Sequence, residues 1–132
     1  MGTYKSFLVV LLLISLCFLN SCFNDTEEKG KVNITNNADF NVISGTIKVC
    51  NQVLEIGSLN KNESKELYFF IGAESHYEVK VVFNTNKILN KELGYIGPMM
   101  TVDDLLIVTN DEINLKIHRK GRWSEVNNRK SD

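Results

Sequence analysis

Apolar and polar residues alternate with a period of two over most of this chain, and this pattern limits its fold more than any other feature. In "HYEVKVVF", for example, Tyr77, Val79, Val81 and Phe83 alternate with polar or less apolar neighbours. Alternation of this kind is typical of strands with one face in a core and the other in water. The residues predicted to point inward in the other segments include Val32, Ile34, Ile43, Ile47, Val49, Leu67, Phe69, Ile71, Ile113, Leu115 and Ile117.

Short connections rich in Gly, Asn, Asp and Ser separate these segments, as expected for turns between strands. We therefore predict an all-β domain over residues 31–118, a small two-sheet sandwich of the immunoglobulin or fibronectin type with about seven strands. A small barrel is the alternative. The cysteine–tryptophan–cysteine signature of antibody domains is absent, because Trp123 follows the last predicted strand.

Residues 1–21 have the order of a secretory signal, predicted as a helix that is cleaved from the mature chain. Lys5 carries the one side-chain charge, an apolar run extends from Phe7 to Leu19, and a small residue precedes Cys22. The run is shorter than the roughly 20 apolar residues of a membrane span. "MGTYKS" also fits the N-myristoylation pattern, but the apolar run behind it favours secretion.

The segment Leu19-Asn20-Ser21-Cys22 resembles the lipobox of bacterial lipoproteins: an aliphatic, a variable and a small residue, then a cysteine. The resemblance implies that the Cys22 thiol receives a diacylglyceryl group and that a signal peptidase cuts just before it. In many Gram-negative species the new α-amine is acylated as well. Two or three acyl chains make a stable membrane anchor, whereas one is marginal.

Residues 22–30 are mostly polar, end in Gly30, and are predicted to form a short lipidated tether. The eight residues after Cys22 reach at most about 28 Å, so the domain would work close to the lipid surface. Phe23 stands where an Asp often signals retention in the inner membrane. By resemblance this favours the outer membrane of a Gram-negative cell, on its periplasmic or outer side, or the outer face of the cell membrane where there is only one.

Composition narrows the classes of function. The 132 residues have a net charge of −1 with both signs interspersed, which argues against nucleic-acid binding. With Cys17 in the signal and Cys22 lipidated, Cys50 has no partner, so core burial rather than a disulfide framework must stabilise the domain.

Two segments are candidate contact surfaces. The stretch "ELGYIGPMMTVDD" places apolar side chains between two glycines and an acidic pair, either as a loop that binds a partner or as a turn that closes one end of the sandwich. Its candidate residues are Tyr95, Ile96, Pro98, Met99 and Met100. Residues 119–132 are predicted to be a polar tail, either frayed or touching anionic lipid headgroups or a partner. The residues that would make that membrane contact are Arg119, Lys120, Arg122 and Trp123.

Residues with catalytic chemistry are few. His76 lies near Glu74 and Glu78, and His118 lies between lysines, but each arrangement is more typical of a charged surface. Cys50 is predicted to be an inert thiol. We predict no enzyme, no metal site and no cofactor. The sequence favours a lipid-anchored module that binds an envelope protein; the alternative is an immunity or superinfection-exclusion lipoprotein that inhibits a toxin or a phage component.

Overall fold

The computed structural model describes residues 29–119 and 122–126, and these residues form nine β-strands and no helix. The all-β class predicted from the alternation is confirmed. The strands are β1 (Lys29–Asn36), β2 (Val42–Val49), β3 (Gln52–Glu55), β4 (Ser64–Phe70), β5 (Ser75–Phe83), β6 (Ile88–Ile96), β7 (Asp103–Val108), β8 (Ile113–Arg119) and β9 (Arg122–Val126).

The strands form two sheets that pack together. Sheet I has the order β4-β1-β7-β8-β9, and sheet II has the order β3-β2-β5-β6. Within the described residues, all neighbouring strands are antiparallel except β1 and β7, which run parallel with Lys31 opposite Asp103. A parallel pair needs a long connection, and here the connection contains all of sheet II together with β4 of sheet I.

The core lies between the sheets and is built from the inward residues of the alternating pattern. On β5, Tyr77, Val79, Val81 and Phe83 are all at most 2% exposed, as predicted. The same holds for Val32, Ile34, Ile47, Val49, Phe69, Ile113 and Leu115. The other inward predictions, Leu67, Ile71 and Ile117, are partly buried against this cluster.

Ile43 was predicted to point into the core, and this prediction was wrong. The pairing between β2 and β5 shifts register between Val42 and Ser44, so a β-bulge places Ile43 outside the ladder. Val42 is 1% exposed and fills the core, whereas Ile43 is 51% exposed. A one-residue shift exchanges the two faces of a strand.

The number of strands and the boundaries of the predicted tether and tail differ from the prediction. Nine strands are described where about seven were predicted, and the difference lies in short edge strands such as β3 and β9. Strand β9 pairs Trp123 with His118, so the predicted tail boundary at residue 119 falls inside a hairpin. At the other end, Gly30 was assigned to the tether but belongs to β1, where a Cβ would overlap the Phe69 ring.

The parallel pairing places several strand ends at the same end of the sandwich, which we call the N-terminal end. Lys29 at the start of β1 lies opposite Phe70 at the end of β4. The Lys31 amide donates to the Val102 carbonyl at 3.0 Å, just before β7 begins. In sheet II, Ser75 lies opposite Ile96. The segment between β6 and β7 therefore lies beside the point where the chain enters the domain.

Candidate functional site

Residues 97 to 100 form a tight turn at the N-terminal end of the sandwich. The Met100 amide donates to the Gly97 carbonyl at 3.3 Å, and Pro98 and Met99 are the two central residues. Met99 has a φ of 64°, in the left-handed region. A turn with proline at its second position and a positive φ at its third is a type II turn, which normally has Gly or Asn at that third position. Met99 therefore holds a conformation that is costly for its side chain.

The five residues predicted to contact a partner divide into two groups. Met99 is 90% exposed and Tyr95 is 56% exposed, while Pro98 is also on the surface. Ile96 is fully buried, and Met100 is partly buried against the core. The two interpretations of this segment thus apply to different residues: Ile96 and Met100 close the end of the sandwich, and Met99 points into solvent.

Hydrogen bonds fix the exposed side of this turn. The Tyr95 hydroxyl donates to Glu74 Oε1 at 3.0 Å, and this bond raises the pKa of Tyr95 above its usual value. The Gly97 amide donates to Met100 Sδ at 3.1 Å. A Cβ on Gly97 would come within 3.1 Å of the Tyr95 hydroxyl oxygen, so the absence of a side chain lets the tyrosine lie over the turn. Met99 is therefore displayed from a structured turn.

An open groove of about 520 Å³ lies next to this turn, with Glu74 as the shared residue. Its lining includes Lys48, Cys50, Gln52, Glu74, Ser75 and His76. The surface formed by residues 95–100 and this groove is mixed in character, with an apolar projection beside polar and charged side chains. Such a combination is suited to contact with a protein, since interfaces pair an apolar centre with a polar rim.

His76 lies in this groove and contacts two glutamates. Its Nε2 is 3.6 Å from Glu78 Oε1 and 3.8 Å from Glu92 Oε2. Glu74, predicted to neighbour His76, bonds Tyr95 instead. Glu92 was missed because it joins the cluster only through the register that places it opposite Glu78.

This histidine and its two glutamates also form a group that could hold a metal ion. Their ligand atoms lie within 4.8 Å of one another, whereas the ligand atoms of a tetrahedral zinc, each at about 2.0–2.2 Å from the metal, lie about 3.5 Å apart. All three side chains are exposed to water. Two glutamates that face each other across β5 and β6 beside an exposed histidine are typical of a surface cluster of polar side chains.

Cys50, predicted to be an inert thiol, lies in the turn between β2 and β3. Cys50 and Asn51 both have positive φ, 47° and 59°, as a two-residue type I′ hairpin requires. The thiol is 3.8 Å from the Ala73 carbonyl and is partly buried. Neither the local sequence nor this environment marks it as a nucleophile.

The residues predicted to contact the membrane lie at or beyond the ends of the part of the chain that the structure describes. Arg119 ends β8, and Arg122 and Trp123 begin β9, so three of the four residues assigned to membrane contact belong to one hairpin. Lys120 and the whole of residues 1–28, including Cys22, lie outside the described residues. Within the described part of the chain, no helix is long and apolar enough to cross a membrane.

Comparison with known proteins supports the fold. No protein-family model matches the chain, and no curated protein matches its sequence. The NMR structure of a protein from Eubacterium rectale is similar, with a TM-score of 0.56 and 13% sequence identity. The similarity covers 71% of this chain and 92% of that one. At this level of identity it is a likeness of fold, and it agrees with two sheets packed into a β-sandwich.

Proposed function

We propose that this chain is a bacterial lipoprotein, anchored by lipid on Cys22, whose β-sandwich is a non-catalytic module that binds a protein of the cell envelope through the surface formed by residues 95–100. The anchor is supported by the lipobox-like segment and by the position of β1. Six residues, 23–28, lie between Cys22 and Lys29, so the seven backbone steps from Cys22 to Lys29 span at most about 25 Å. The N-terminal end would then be held near the bilayer.

The exposure and the left-handed backbone conformation of Met99 are the main support for the binding function. An apolar side chain that is 90% exposed contributes little to the core, and its left-handed backbone costs stability. Asn62 and Asn86 share this region of φ, but asparagine tolerates it well. A strained and exposed methionine supports a role in contact, because methionine adapts its shape to a partner surface.

We also propose that the sandwich is of the immunoglobulin type. The order β6-β5-β2-β3 corresponds to G-F-C-C′ of a variable domain, and the pair β1 and β4 corresponds to B and E. Strand β7 then occupies the place of A beside B, and β8 and β9 extend the sheet. The parallel pairing of β7 with β1 departs from the antiparallel sheets of that fold, so strand order is what supports the assignment.

A photo-crosslinking amino acid at position 99 tests the binding proposal in living cells. We expect one protein to be captured from position 99 and not from Lys61, a control position on the connection between β3 and β4. Identification of that protein by mass spectrometry separates a resident envelope protein from a toxin or phage component. Absence of capture at position 99 in a correctly folded protein would contradict the proposal.

Two substitutions separate binding from folding. Met99→Gly removes the exposed side chain and the backbone strain, so we expect loss of partner binding with a melting temperature that is unchanged or raised. Met100→Ser removes a sulfur that accepts the Gly97 amide and packs on the core, so we expect a lower melting temperature. A Met99→Gly protein that melts well below wild type would indicate a structural role for Met99.

A further inference from the structure

We propose that the N-terminal end of the sandwich rests on the lipid bilayer through an aromatic patch formed by Lys29, Tyr68 and Phe70. This inference rests on the proposed lipid anchor at Cys22 and deepens it, because it gives the domain one orientation on the membrane. The patch contacts the membrane at the boundary between lipid headgroups and acyl chains.

The patch lies on the outer face of sheet I, at its β4 edge. Tyr68 is 57% exposed and Phe70 is 45% exposed, whereas Phe69 between them is 2% exposed and points into the core. Together with Lys29 they line a shallow depression of about 300 Å³. Two large aromatic side chains are thus presented to the surroundings at the end of a strand, next to the first described residue of the chain.

The chemistry of the patch matches a membrane interface. Lys29 Nζ lies 5.8 Å from the centre of the Phe70 ring, so a positive charge accompanies the apolar surface. The Tyr68 hydroxyl donates to Glu66, which leaves an apolar ring with a satisfied polar tip. Tyrosine is enriched at the level of lipid headgroups, and lysine places its ammonium among anionic headgroups while its stem stays in apolar surroundings.

The edge of β4 is blocked to strand addition at Phe70. Gln52 Nε2 donates to the Phe70 carbonyl at 2.8 Å, and the Phe70 amide donates to Gln52 Oε1 at 3.0 Å. One side-chain amide therefore occupies both backbone groups of Phe70 that an added strand would need. The exposed aromatic rings remain available, but the backbone groups of Phe70 do not, which favours a lipid surface over a partner that adds a strand at the end of β4.

The short segment between the lipid anchor and the domain is the reason to expect that the bilayer, and not another surface, contacts the patch. Lys29 pairs with Phe70, so the patch lies directly at the point where residues 22–28 connect to the sheet. The seven backbone steps from Cys22 to Lys29 span at most about 25 Å, which keeps Phe70 within reach of the headgroup layer. An anchored domain needs only weak added contact, since the anchor keeps the local lipid concentration high.

Depth-dependent fluorescence quenching tests this orientation on the lipidated full protein. The protein carries Cys50→Ser and a single environment-sensitive dye on Phe70→Cys or, as a second site, on Tyr68→Cys. Lys61→Cys serves as the control. It lies just before Ser64, the first residue of β4, which is about 20 Å from Phe70 at 3.3 Å per residue. The vesicles contain phosphatidylethanolamine, phosphatidylglycerol and a spin-labelled lipid that quenches the dye.

We expect the spin-labelled lipid to remove most of the emission at positions 70 and 68 and little of it at position 61. Flotation of the vesicles reports the anchor separately. If the protein floats and all three positions are quenched equally weakly, the bilayer contact is wrong while the anchor stands. If the protein does not float, the anchor fails and the orientation fails with it.

Discussion

Replacing Tyr77 with phenylalanine is expected to lower the free energy of unfolding by about 1.5–3 kcal/mol at neutral pH, the range for a hydrogen bond to a charged group. Tyr77 is fully buried, and its hydroxyl donates to Asp104 Oδ2 at 2.8 Å. Asp104 is 5% exposed, so water cannot readily replace the lost donor. The ring itself is retained and still packs edge-on against Phe69. Urea unfolding of the two proteins measures the difference.

The same substitution should change the alkaline stability. Burial, followed by the Asp104 charge, raises the pKa of Tyr77 far above the 10.0 of a free tyrosine. Above pH 10 the unfolded chain loses this proton while the folded protein keeps it, so stability present below pH 10 is lost as the pH rises. The expected slope is about 1.4 kcal/mol per pH unit. Equal slopes above pH 10 in wild type and Tyr77→Phe would contradict this account.

Gly45→Ala is the second change with a large expected effect. A Cβ at this position would lie 2.7 Å from the Lys80 carbonyl oxygen and 3.0 Å from Ile56 Cδ1. The carbonyl belongs to the backbone of β5, which is held in register with β2 and has little freedom to move. Overpacking of this kind typically costs about 1–3 kcal/mol. We expect the melting temperature to fall by about 4–8 °C for each kcal/mol lost.

Gly72→Ala is the matched control for this prediction. No atom lies within 4 Å of a Cβ built on Gly72, and its φ is not in the left-handed region. The expected change in stability is within about 0.5 kcal/mol, or a small gain from reduced freedom of the unfolded chain. If Gly45→Ala melted at the same temperature as Gly72→Ala, the close approach of β2 and β5 would be wrong.

The sequence predicted the core where alternation was unbroken. On β5 all four inward residues were correct, because a strand with one buried face must repeat every second residue. The prediction failed at Ile43, since a β-bulge leaves no signature in the alternation itself. The short edge strands were also missed, because β3 has only four residues and none of them is fully buried.

The candidate site was predictable as a segment but not residue by residue. Met99 and Met100 are adjacent and of the same residue type, so the sequence does not distinguish them, yet Met99 is exposed and Met100 is partly buried. The left-handed φ of Met99 decides which one points outward, and that conformation is unusual for methionine. Similarly, Glu92 joins His76 through cross-strand register, which depends on pairing between distant parts of the chain.

Lipidation of Cys22 is the central claim, and the mass of the N-terminal peptide of the mature protein tests it most directly. The account predicts a peptide that begins at Cys22 and carries a diacylglyceryl group on the thiol, with or without an acyl group on the α-amine. It also predicts that Cys22→Ala yields no such peptide and leaves the membrane fraction. A mature protein that retains residues before Cys22, or that begins there with an unmodified thiol, would contradict the account.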